Sequence, residues 1–285
     1  MLPDYLSEAT FNDFIERAFS EDIGDGDHTT LASVPNSATR KARLIVKDTG
    51  VLAGMEAARR IFQFIDKNLT FEPFLKDGDE VKYGDIGFHV NGCARSILTA
   101  ERIVLNTMQR MSGIATQAQK AAKLLEGTKT RVLDTRKTTP NFRAFEKWAV
   151  ATGGGTNHRF GLFDLIMLKD NHIDFAGGVE NAITAVQEYL KTNQKSLRIE
   201  VETRNLEEVE EVLRVGGVDI IMLDNLSLED MKTAVKLIGG RCEIEASGGI
   251  TLQTLRQVAD CGVDFVSMGA LIHSAGQLDM SLKAV

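Results

Sequence analysis

Six short apolar runs in the second half of the chain end in residues able to do chemistry. Val132-Leu133 is followed by Asp134, Thr135, Arg136 and Lys137, residues 165–168 by Lys169, Asp170, Asn171 and His172, and residues 199–201 by Glu202. Residues 219–223 lead into Asp224-Asn225, residues 243–246 into Ser247-Gly248-Gly249, and residues 264–268 into Gly269 and then His273. Lysines and arginines gathered in one cleft focus attraction on an anionic small molecule. Glycine turns ahead of a helix offer backbone N–H groups to a phosphate. The carboxylates Glu202 and Asp224 suit ribose hydroxyls or a Mg²⁺ shared with a pyrophosphate.

The charge distribution sharpens this picture. Residues 131–172 hold seven Lys or Arg against four Asp or Glu, a local excess of +3 in a chain whose formal net charge is −7. Arg131, Arg143 and Lys147 lie in or beside helical stretches and read as weak surface charges. Arg136-Lys137, His158-Arg159 and Lys169 instead sit at strand ends or in the loop Gly153-Gly154-Gly155-Thr156-Asn157-His158-Arg159. Three glycines there permit unusual backbone angles and close approach to a ligand. The spacing is not that of a nucleotide-binding GxxxxGK[ST] loop.

The elements that must position these groups follow from periodicity. Between the six runs lie helical stretches over 179–190, 206–215, 228–238 and 252–260, and repeated strand–helix units predict a parallel sheet. A short or incomplete (β/α) barrel would bring every run's end to one rim, where such folds build active sites. A flat doubly wound sheet is the alternative, but no GxGxxG follows the first strand. The N-terminal part reads as an α+β layer: a helix capped by Thr10, strands over 41–47, 50–53, 69–75 and 85–90, and a helix over 55–65. A long helical stretch over 97–126 is expected to be broken or bent at Ser112-Gly113. Its polar stripe of Arg102, Asn106 and Gln109 opposes Leu98, Val104, Leu105, Met108 and Met111, which reads as a buried face. The stripe suits a subunit interface, an active-site wall or a solvent face. Asp25, Asp27 and His28 read as a structural turn.

Composition excludes several classes. An acidic chain with a pI near 5.4 lacks the basic face of a nucleic-acid binder. Cys93, Cys242 and Cys261 have no CxxC pairing, which speaks against a disulfide framework or a thiolate zinc site. The N-terminus has no signal-peptide pattern, and no apolar run approaches the ~20 residues of a membrane span. A cytoplasmic protein is expected.

Together these segments resemble the quinolinate phosphoribosyltransferases. The matching strings are EDIGDGDHTT (21–30), ERIVLNTMQRMSGIAT (101–116), DTRKTTPNFRAFEKWAVATGGGTNHRFGLFD (134–164), LKDNHI (168–173), IEVET (199–203), IMLDN (221–225), EASGGI (245–250) and SMGALIHSA (267–275). The resemblance implies an open α/β barrel of the type II phosphoribosyltransferase kind over 111–274. It also implies an N-terminal α+β sandwich over 1–110, with the tail 275–285 packed back on it. Lys137, Lys169, Glu202 and Asp224 would be catalytic. Thr135, Arg136, Lys137, His158, Arg159 and Lys169 would surround the substrate carboxylates, with Arg102 reaching in from the other subunit of a homodimer. Glu202 and Asp224 would bind ribose or Mg²⁺, Ser247-Gly248-Gly249 and Met268-Gly269-Ala270 the 5′-phosphate, and His273 would support. The implied reaction joins quinolinate and phosphoribosyl pyrophosphate into nicotinate mononucleotide, with CO₂ and pyrophosphate released, in NAD synthesis. Rivals are a phosphoribosyltransferase for another anionic base, a Schiff-base aldolase using Lys137 or Lys169, and a barrel that only binds phosphorylated metabolites.

Overall fold

Helix α1 (Glu8–Ile23) starts before Thr10, because the Ser7 hydroxyl accepts the Thr10 N–H at 3.1 Å and makes Ser7 the cap. It is followed by α2 (His28–Ser33), β1 (Thr39–Val46), β2 (Gly50–Val51), α3 (Met55–Ile65), β3 (Thr70–Pro73), β4 (Glu80–Val81), β5 (Ile86–Cys93) and α4 (Ala94–Leu124). Then come β6 (Arg131–Leu133), α5 (Arg143–Thr152), β7 (Ile166–Leu168), α6 (Asp170–Ala176), α7 (Val179–Thr192), β8 (Ile199–Thr203) and α8 (Leu206–Val215). The chain ends with β9 (Ile220–Asp224), α9 (Leu228–Ile238), β10 (Glu243–Ser247), α10 (Leu252–Ala259), β11 (Phe265–Ser267), α11 (Ala270–His273) and β12 (Met280–Ala284). This computed structural model describes residues 2–285.

Two compact units are present. One holds the chain up to Gln119 with Thr138–Gly154 and Leu271–Val285, the other Lys120–Lys137 and Gly155–Ala270. In the first, β12, β1, β5 and β3 form an antiparallel sheet in that order. Phe62 of α3 meets Phe71 and Phe88 with ring centroids 6.3 and 5.9 Å away, which anchors that helix on the strands. Segment 138–154 belongs to this unit through its own contacts. Phe145 lies 5.5 Å from Phe11 and 4.4 Å from Phe14, and buried Glu146 accepts from Arg110 at 2.8 Å and from the Thr139 N–H at 2.8 Å.

Several expectations are corrected here. Helix α4 runs unbroken for 31 residues. Ser112 spends its hydroxyl on Ala53, accepting its N–H at 2.8 Å and donating to its carbonyl at 3.1 Å, rather than on the helix's own turn. Gly113 is required for a different reason: a Cβ there would stand 2.0 Å from the Gly276 carbonyl oxygen. Lys147 is fully buried rather than a surface charge, because the helix face from Phe145 to Val150 is enclosed. Leu98 is 45% exposed and so falls outside the buried face that Val104, Leu105, Met108 and Met111 form. Asp27 caps α2, taking the Thr30 N–H at 3.1 Å and the Thr99 hydroxyl at 3.0 Å, while His28 and Asp25 meet in the open at 3.3 Å.

The second unit is built on a six-stranded, all-parallel sheet in the order β6-β11-β10-β9-β8-β7. Every strand neighbours its successor except the first two, and β11 closes back on β6. β6 and β7 therefore flank an opening, which makes the barrel incomplete. Thr156 runs along the free edge of β6, its N–H donating to the Val132 carbonyl at 2.9 Å. The opening thus receives the segment carrying His158 and Arg159.

Candidate active site

Polarity inside this sheet follows the period of two. Val201, Ile221, Leu223, Ile244 and Ala246 are apolar and buried. The alternating positions on β8, β9 and β10 carry Glu200, Glu202, Asp224, Glu245 and Ser247 on the opposite face. Residues two apart share a face, so Glu202 and Ser247 at the C-terminal rim stand one layer above Glu200 and Glu245.

Following the sheet from β6, the rim carries Thr135, Arg136 and Lys137, then Met268-Gly269, Ser247-Gly248-Gly249, Asp224, Glu202 and, after β7, Lys169. Ala270 opens α11 behind the β11 end. Lys169 Nζ meets Glu202 Oε2 at 2.7 Å. Thr135 shapes its own turn by accepting the Lys137 N–H at 3.0 Å, and the Arg136 and Lys137 side chains are exposed. Asn225, at φ 55°, donates to Asp224 Oδ2 at 2.8 Å. Gly248 is bound to be glycine: its φ is +97° and a Cβ would lie 2.2 Å from Asn225 Oδ1. The turn after β10 is therefore held tightly against the β9 end.

His158 and Arg159 occupy the opening side. His158 Nε2 lies 3.1 Å from Glu200 Oε2 and 3.1 Å from Glu245 Oε2, with both carboxylates wholly buried. Asp134, also wholly buried, accepts the His158 N–H at 2.9 Å and the Asn157 side-chain amide at 2.7 Å. Burial opposes charge on His158, while Glu200 and Glu245 favour it and raise the imidazole. Burial raises the Glu200 carboxyl above its ordinary value. The Arg159 N–H donates to His158 Nδ1 at 2.6 Å, a contact that a second ring proton would break, so the ring keeps its one proton on Nε2. Burial first, and then the neighbouring Arg136, lower the Arg159 guanidinium. Two adjacent cations of this kind are arranged for an anion between them.

Sequence reasoning singled out the rim but passed over Glu200 and Glu245, and it left Asp134 without a role. The signal was available: a charged residue two positions before a rim residue, on a strand whose alternate positions are apolar. Gly153 proves to serve packing, since a Cβ there would lie 2.2 Å from the Ala115 carbonyl oxygen. Arg102 and Asn106 are exposed on α4 in the first unit. Gln109 leaves that stripe to donate to the Met280 carbonyl at 2.9 Å. His273, in the same unit, is exposed and pairs with the Ser274 hydroxyl at 2.8 Å.

Comparison with known proteins places this arrangement. Residues 27–112 match the quinolinate phosphoribosyl transferase N-terminal domain, and residues 114–283 match its C-terminal domain. The chain belongs to the quinolinate phosphoribosyl transferase family. The chloroplastic carboxylating nicotinate-nucleotide pyrophosphorylase of Arabidopsis thaliana is 46% identical over 94% of this chain and 81% of its own. Its namesake in Oryza sativa is 45% identical over 99% of this chain and 78% of its own. The crystal structure of NadC from Streptococcus pyogenes superposes with a TM-score of 0.92 at 42% identity, covering 98% of this chain and 99% of that one. Membership in this family of phosphoribosyl transferases favours glycosyl transfer over the Schiff-base reading of Lys137 and Lys169. Among the described residues no helix is long and apolar enough to cross a membrane.

Proposed function

We propose that this protein is a carboxylating nicotinate-nucleotide diphosphorylase of NAD biosynthesis. It transfers the phosphoribosyl group of phosphoribosyl pyrophosphate to quinolinate and releases nicotinate mononucleotide, pyrophosphate and CO₂. The observation that carries this reading is the order of groups on one rim: cations beside the barrel opening, glycine turns on β10 and β11, and carboxylates on β8 and β9.

In the reaction the pyridine nitrogen lone pair forms a bond to the anomeric carbon as that carbon's bond to pyrophosphate breaks. Arg136, Arg159 and Lys169 hold the substrate carboxylates, and Lys137 faces the anionic leaving group. Ser247-Gly248-Gly249 and Met268-Gly269-Ala270 bind the 5′-phosphate, and Glu202 and Asp224 orient the ribose. The cationic ring nitrogen then accepts the electron pair as the 2-carboxylate leaves as CO₂, and a solvent proton replaces it at the ring carbon. Catalysis is chiefly positioning and charge stabilisation.

A Mg²⁺ ion fits the donor set. Asp224 Oδ1 and Glu202 Oε1 are hard oxygen ligands at adjacent strand ends, the other oxygens being occupied by Asn225 and Lys169. Bound there, it would neutralise charge on the departing pyrophosphate. In this reading the protein is a homodimer, and Arg102, exposed on α4, completes the site of the other subunit.

The deciding assay mixes the protein with phosphoribosyl pyrophosphate, Mg²⁺ and either quinolinate or nicotinate. Turnover of quinolinate and little of nicotinate is expected, because the cations match two carboxylates; equal turnover of both overturns that account. The role of Arg102 is checked by mixing Arg102→Ala and Lys169→Ala subunits, each inactive alone. Mixed dimers should regain one working site, and no recovery despite verified subunit exchange would defeat the cross-subunit contact.

A further inference from the structure

The three buried carboxylates below the rim are costly. A layer of apolar side chains at Glu200, Glu245 and Asp134 would pack as well without desolvating charge, and such replacements are often stabilising. All three converge on one short stretch of backbone. Asp134 takes the His158 N–H and the Asn157 amide, while Glu200 and Glu245, on strands separated by β9, each approach the ring's Nε2 to 3.1 Å. The remaining ring nitrogen, Nδ1, is turned to the Arg159 N–H at 2.6 Å. Both nitrogens of His158 thus face the protein interior, and the ring is spent on its neighbours. The next side chain, Arg159, donates from its guanidinium Nη1 to the Leu165 carbonyl at 3.3 Å, and its charge is opposed by that of Arg136.

We propose that Glu200 and Glu245 are positioning residues which act through His158 to fix the Arg159 backbone, and so aim its guanidinium at a carboxylate of the dicarboxylate substrate. This rests on the reading given under Proposed function. His158 itself then makes no hydrogen bond to the substrate through its ring nitrogens. The groups facing the ring are Glu200 from β8, Glu245 from β10, Asp134 from the β6 end and Arg159 beside it.

The test is a double-mutant cycle on the full-length enzyme, comparing E200Q/E245Q, His158→Gln and the triple variant. Glutamine keeps the volume of glutamate and removes its charge. The KM for quinolinate should rise about tenfold in E200Q/E245Q, as for loss of one charge-assisted contact. The loss should fall on that KM more than on kcat, and the KM for phosphoribosyl pyrophosphate should stay within about twofold. Adding His158→Gln to the glutamine pair should cause no further rise, since the three act in series. Additive losses, or an equal rise in both KM values, overturn the proposal.

Should the variants fail to fold, ¹⁵N spectra of the wild-type histidines decide the matter. His158 should carry its proton on Nε2, with Nδ1 accepting a hydrogen bond, at pH 7.5; an Nδ1–H tautomer overturns the relay. That measurement needs no turnover. A wild-type enzyme inactive on quinolinate would therefore defeat the functional reading while leaving the relay to be judged separately.

Discussion

Glu202 and Glu200 lie two residues apart on the same face of β8, yet they keep different company. Glu202, with its side chain 9% exposed, meets a Lys169 side chain that is 45% exposed; Glu200 is wholly buried against His158. The upper pair can change partners, because solvent reaches the lysine. The lower cluster cannot, because each of its polar contacts comes from the protein. A barrel of this kind therefore separates two tasks by one strand layer, about 7 Å of strand rise. On the proposed function, groups that exchange contacts during reaction would stand at the rim, and groups that hold them in place would lie beneath.

This separation predicts different costs for mutation in the two layers. The largest loss of stability should come from Asp134→Ala. That change strips the acceptor from a buried backbone N–H and from the Asn157 amide at once, and it empties a site closed to water. Leaving such groups unsatisfied costs roughly 3 kcal/mol. Urea denaturation should show the midpoint falling with an unchanged slope, and quinolinate KM should rise in the protein that remains folded. A stability loss below about 1 kcal/mol would put Asp134 with the rim groups and dissolve the distinction between the layers.

The rim was legible in the sequence because strand ends announce themselves: Lys169 and Asp224 each follow an unbroken apolar run. Glycines were legible as punctuation but not as to purpose. Gly248 makes room for Asn225, whereas Gly153 makes room for the backbone of α4; a sequence records only that no Cβ is tolerated. The buried cluster was hidden for a reason of geometry. Glu200 and Glu245 stand 45 positions apart on strands that are not neighbours, and only curvature of the sheet brings them to one imidazole. The unbroken α4 was misread for a related reason, since the small residues at Ser112-Gly113 answer to contacts with Ala53 and Gly276 that lie far along the chain. Local rules describe what a residue permits, and tertiary contacts decide which permission is used.

Lys169→Ala should give the smallest stability change and so forms the sharpest contrast with Asp134→Ala. Its ammonium contact to Glu202 is short, at 2.7 Å, but the lysine side chain is nearly half exposed. Water can take over its role toward Glu202, and pairs in such surroundings contribute about 1 kcal/mol or less. Activity should respond in the opposite sense. A cation placed where substrate charge must be held acts where no solvent molecule can substitute, so kcat/KM with quinolinate should fall at least about a hundredfold. Denaturation and steady-state kinetics on the same preparation would check both halves. A Lys169→Ala protein as unstable as Asp134→Ala would show that the rim pair supports the fold. One that kept near-normal turnover would remove Lys169 from the reaction, whatever its partner.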